Sequence, residues 1–200
     1  MSISRLMQMG AAGFVSPPVF VASNAARNVT SWSISGTSST DLLLMAWQTP
    51  NTGGSAPSNL TRIASDTSGA FEGGVSYGSN TTSGTLATSN SKYVVLAFSG
   101  ADTSSAPSIT TSDGSGTTTA ATPSMSGFII GRDMVVIGCI TDTQKFPEYS
   151  GTDYTEVPDT SNGNVQMAYK VASSTTESPS AFTLTGTSHY MTFIAKVTPY

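Results

Sequence analysis

Five segments in the first half of this 200-residue chain return, in the same order, in the second half. Ser33-Ile34-Ser35-Gly36, a spacer and Asp41-Leu42-Leu43-Leu44-Met45-Ala46-Trp47 come back as Ser124-Met125-Ser126-Gly127, a spacer and Asp133-Met134-Val135-Val136-Ile137-Gly138-Cys139. Leu60-Thr61-Arg62-Ile63 is echoed by Tyr154-Thr155-Glu156-Val157, Asp66-Thr67-Ser68 by Asp159-Thr160-Ser161, and Val75-Ser76-Tyr77 by Met167-Ala168-Tyr169. Ser91-Lys92-Tyr93-Val94-Val95 closes the series against Ser188-His189-Tyr190-Met191-Thr192. A period of about ninety residues is too long for a solenoid unit, so the chain reads as two similar halves of one body.

Within each half, short apolar or alternating runs are separated by clusters of Gly, Pro, Ser, Thr and Asn, which predicts strands and no helix after the first eighteen residues. Leu42 to Gln48 and Lys92 to Phe98, with Asp133 to Thr141 and His189 to Val197, are almost continuously apolar and belong at the centre of a sandwich. The expected fold is all-β: a jelly-roll-like β-sandwich of duplicated halves, 19–100 and 122–200, joined by a flexible or edge-hugging crossover at 101–121. An N-terminal arm spans residues 1–18.

Composition narrows the function. Only 10% of residues are charged and roughly a third are Ser or Thr, against about a quarter charged in a typical soluble domain. Such a surface suits flanks that pack on neighbours, because ordering short hydroxyl side chains costs less entropy than ordering Lys or Glu. A net charge of -4 and a pI near 4.7, with eight scattered basic residues, argue against a nucleic-acid track and against an anionic membrane surface.

Catalytic chemistry finds little to work with. The lone histidine, His189, stands where the first half has Lys92, and the lone cysteine, Cys139, lies inside an apolar run. A Ser-His-acid triad and a zinc site are therefore unsupported. Asp142, Glu148, Asp153, Glu156 and Asp159 gather around one loop, but a solvated acidic loop explains them more simply than the paired carboxylates of a glycosidase. No catalytic residue, cofactor or metal is expected.

Recognition is expected elsewhere. The loop from Thr143 to Tyr154 carries Phe146, Tyr149 and Tyr154, whereas its first-half counterpart, Thr49 to Ser58, has no aromatic residue. Divergence of this kind points to a task that one loop alone performs: either the rings project and supply contact area at low entropic cost, or they cap the open end of the sandwich core. Ile3, Leu6, Met7 and Met9 make the arm too apolar to stay in water, so it is expected to dock on another subunit, with Arg5 pairing to an acid there. Gln8 and Ser4 interrupt what would be the apolar core of a signal peptide. Asn28-Val29-Thr30, Asn59-Leu60-Thr61 and Asn80-Thr81-Thr82 match the glycosylation pattern and are read as chance in so hydroxyl-rich a chain.

The opening from Met1 to Gly13 resembles the openings of small structural proteins of tailed bacteriophages. The body, with Asp41-Leu42-Leu43-Leu44 after a Ser/Thr-rich strand and Met167-Ala168-Tyr169-Lys170-Val171-Ala172 ahead of Glu177-Ser178-Pro179, resembles β-sandwich modules of phage virion and tail-appendage proteins. It departs from them at Asn59-Leu60-Thr61, where a Gly-Trp pair is usual. The resemblance implies a virion protein and does not say which one. A non-enzymatic protein that decorates the capsid exterior is expected, with the major capsid protein or other virion subunits as partners. A homo-oligomer is expected, a trimer first. The alternative is a glycan-binding receptor-recognition module of a tail or head fibre.

Overall fold

The computed structural model describes residues 15–50, 54–68, 71–142, 146–157 and 163–200. The described residues contain no helix. The first half supplies β1 (Val19–Val29), β2 (Ser31–Ser33), β3 (Leu42–Thr49), β4 (Thr61–Ser68), β5 (Phe71–Gly78), β6 (Ser83–Thr85) and β7 (Ser91–Ser99). The second supplies β8 (Ser108–Ala120), β9 (Met125–Ser126), β10 (Met134–Thr141), β11 (Glu148–Tyr149), β12 (Thr155–Glu156), β13 (Val165–Val171), β14 (Thr176–Glu177) and β15 (Phe182–Val197).

All pairings are antiparallel, and the two halves follow one strand order. The first sheet runs β1-β7-β3-β5-β4. The second runs β8-β15-β10-β13-β12, with β11 added beside the first residues of β15. A two-stranded ribbon, β2 with β6 in one half and β9 with β14 in the other, accompanies each sheet. Each half thus completes its own sheet before the next begins, whereas a jelly roll distributes the strands of its Greek keys over two sheets.

Alternation explains why the central strands are apolar throughout. Leu42, Leu44 and Ala46 of β3 point into a core shared with Met134, Val136 and Ile140 of β10, which is where the two sheets face each other. Leu43, Met45 and Trp47 point the other way, into a second cluster with Trp32 of the β2-β6 ribbon. In the second half Val135, Ile137 and Cys139 form the matching outer cluster. A strand buried on both faces has no solvent side on which to place polar residues.

The ladders place the halves in near-identical register. Tyr77 lies opposite Leu44 and Tyr169 opposite Val136, while Thr61 and Thr155 lie opposite those two tyrosines. Only the last strand departs from the sequence echo. Tyr93 pairs with Trp47, but the residue paired with Cys139 is Thr192, two positions beyond Tyr190. An even slip keeps every side chain on its proper face.

Turns ahead of the central strands also match. Asp41 accepts the Ser38 N–H at 2.7 Å and Asp133 accepts the Ile129 N–H at 2.8 Å, and both carboxylates are buried. Gly36 and Gly127 both hold a positive φ at the start of these turns, a conformation that a Cβ disfavours. Asn28, Asn59 and Asn80 hold positive φ as well, so each asparagine of the three glycosylation-like triplets sits where the backbone favours asparagine for its own sake.

The crossover expected to be flexible or edge-hugging holds a strand that lies along the sheet edge. Residues 108–120 form β8, an edge strand that occupies in the second sheet the place of β1 in the first. Its Ser, Thr and Gly residues look like a linker, yet an exposed edge strand needs no apolar side.

Candidate functional site

The loop that carries the three candidate aromatics folds against the outer face of the second sheet. Tyr149 lies in β11, whose pairing with Phe182 and Thr183 aims its ring inward. Edge-to-face contacts join it to Tyr154 at 5.3 Å and to Phe182 at 5.5 Å between centroids. Both tyrosines are buried in the outer cluster. Of the two expectations for these rings, projection fails for Tyr149 and Tyr154, which pack into the core. A strand of two residues gives too little alternation to read direction from sequence, and here the inward position falls on the ring.

Phe146 remains outside. It is 50% exposed, its backbone has φ +34°, and its N–H donates to the Gly163 carbonyl at 2.9 Å. A positive φ on an aromatic residue is strained. The arm residues Ile3, Arg5, Leu6, Met7 and Met9 lie outside the described residues, as do Lys145 and Asp159.

Beneath the loop lies an ionic network. Lys170 of β13 reaches Asp153 at 2.9 Å and Glu177 at 2.8 Å, with its ammonium 4.5 Å from the centre of the Tyr154 ring. Tyr149 donates its hydroxyl proton to Asp153 at 2.9 Å and accepts the Ser180 N–H at 3.2 Å. Glu177 also accepts the N–H groups of Ser173 and Ser174. Burial alone would raise the Glu177 and Asp153 carboxyls, but hydrogen bonds from Lys170 and from the Ser and Tyr donors, together with the Lys170 charge, hold both below their ordinary ranges. Burial, then the charges of Glu177, Tyr149 and Asp153, push the Tyr154 phenol up. Each of these ionic groups is spent on another, so the network clasps the loop to the sheet.

The other chemistry-bearing residues stand apart. His189 is exposed on β15, while the Ser188 hydroxyl bonds to Asp142 and to the His189 carbonyl. Cys139 is fully buried, which pushes its thiol up and away from the reactive thiolate. The Glu156 carboxyl is raised by burial and then by Glu148, and it accepts from Gln166. Among the described residues no group of three or more His, Cys, Asp or Glu is placed to hold a metal ion.

Sequence reasoning passed over one exposed feature. Ile129 and Ile130 stand in the turn before β10 with Val171 exposed beside them, and Gly131 ties the turn to Ala172 by its N–H. The corresponding first-half turn is Thr37-Ser38-Ser39-Thr40. Comparing the spacers of the echo, as the aromatic loops were compared, exposes this difference at once. No protein-family model, curated protein or solved structure matches the chain.

Proposed function

We propose that this protein is a non-enzymatic structural component of a virion of the tailed-bacteriophage type, attached to the capsid exterior through its N-terminal arm. The observation that carries the reading is the strip where the arm joins the body. Val15 stands exposed ahead of β1, and Val19 and Val21 stand exposed along its start, at the edge of the first sheet. An apolar strip continuous with an apolar arm fits a docking segment that extends onto the sandwich, since each valine withdrawn from water contributes up to about 1.5 kcal/mol. The common strand order and register support reading the halves as copies of one unit. Buried acids that serve as turn clasps, at Asp41, Asp133 and Glu177, fit a rigid building block.

Deleting Ser2 to Gly13 and measuring occupancy on purified particles tests the reading. The truncated protein is expected to fold and to be lost from particles; normal occupancy would show that the arm is not the anchor. Repeated weak contacts around a symmetric homo-oligomer give strong attachment by avidity.

The second reading, a glycan-recognition module, rests on Phe146, an exposed and strained aromatic. It requires host polysaccharide binding that Phe146→Ala abolishes while Val19→Ser leaves it intact.

A further inference from the structure

On the inner face of the first sheet, near the end where β3 stops, three polar side chains stand in one cross-strand row. Arg27 of β1 lies directly opposite Lys92 of β7, and Lys92 directly opposite Gln48 of β3. The face follows from alternation, because two residues along the same strands Ala25, Val94 and Ala46 pack in the core between the sheets.

Two cations on facing rungs repel, and a buried ammonium ordinarily has a carboxylate beside it. Here none is present among the described residues, whose ion pairs are Arg62 with Glu72 and Lys170 with Asp153 and Glu177. Lys92 is only 8% exposed and donates to the Gln48 Oε1 at 3.0 Å and the Asn90 carbonyl at 3.3 Å. Burial, then the neighbouring Arg27 charge, hold its amine below the ordinary range.

Gln48 adds a second, independent sign. It is wholly buried, and its Nε2 has no acceptor. Rotating the amide would set its NH2 against the ammonium, donor against donor, so Lys92 fixes Nε2 as the orphan. The architecture does not require such a row. At the same rung of the second half stand Asp113, Met191 and Ile140, with the methionine and isoleucine packed in the core.

We propose that Arg27, Lys92 and Gln48 form a binding site for a small oxyanion, entered past the exposed Arg27 at the sheet edge. The guanidinium offers a two-pronged fork, Lys92 a point charge and Gln48 a neutral donor. Neighbouring rungs are about 4.8 Å apart, a gap that two oxygens of one anion bridge better than a single halide. The shared chemistry is that of phosphate and carboxylate groups.

The experiment follows thermal unfolding and calorimetric titration of the full chain at constant ionic strength, with chloride as the balancing anion and either sodium phosphate or sodium acetate added. The wild type is expected to show a saturable rise in Tm and a one-to-one isotherm, and the tighter of the two probes names the source as phosphoryl or carboxylate. Arg27→Gln, at an exposed position, weakens binding about tenfold or more. Lys92→Met abolishes the Tm shift, whatever its Tm in chloride alone. A rise that persists undiminished in both variants, or no saturable rise with either probe, overturns the proposal.

Discussion

The same corner of the fold is closed in two different ways. In the first half Gly78 stands opposite Leu43, and Leu60 lies so close above it that an added Cβ would come within 2.7 Å of the leucine Cδ2. In the second half Lys170 stands at that rung, opposite Val135, with Tyr154 in the place of Leu60 and two carboxylates gathered around the ammonium. One solution is dispersion and exclusion of water; the other is a charged clasp. Identical backbone registers accept both, so the frame is set by the ladders and the corners are free to differ.

The largest expected effect comes from Glu177→Ala. It takes away one of the two carboxylates on Lys170, leaving Asp153, and strands the Ser173 and Ser174 N–H groups, and should cost about 2–4 kcal/mol in a denaturant melt. A loss below about 1 kcal/mol would show that the clasp is surface decoration and that the two corners differ little in energy.

Acid titration separates the corners next. Asp153 and Glu177 have folded-state pKa values below their unfolded ones, so their contribution is present above the unfolded values and disappears as pH falls through the folded ones. Stability should therefore fall below about pH 4.5, and Lys170→Met should flatten that limb. Asp66, raised by burial and then by Asp113, works in the opposite sense and gains nothing from ionisation. An acid limb unchanged in Lys170→Met assigns the loss to other carboxylates.

Tyr149→Phe removes the bond to Asp153 and leaves the Ser180 N–H without its acceptor, for an expected cost of about 1–2 kcal/mol. Smallest is Gly78→Ala. The clash is with the flexible end of Leu60, so the loss should stay near 1 kcal/mol, and Leu60→Ala in the same chain should remove most of it. An additive double mutant breaks the claim that this corner is held by that contact.

The two-sheet frame was legible because burial on both faces forces continuous apolar runs such as Leu42 to Trp47, and because Asp41 and Asp133 mark the turns before them. β8 was illegible for the opposite reason: an edge strand of Ser, Thr and Gly leaves no apolar period. The direction of Tyr149 depended on a two-residue strand. The facing of Arg27 and Lys92 depended on register between strands more than sixty residues apart, which no local pattern encodes. Of the proposed recognition set, the chain order alone could single out the loop but not which ring it would leave in water.

Because each half finishes its own sheet, the chain emerges from synthesis as one complete layer and then, after Ser99, as a second. At roughly 5–20 residues per second the next hundred residues take about 5–20 seconds. Throughout that interval Leu44, Val94, Leu96 and Phe98 present a finished apolar surface with no mate. A nascent first half can meet another nascent first half on the same messenger before its own second half exists.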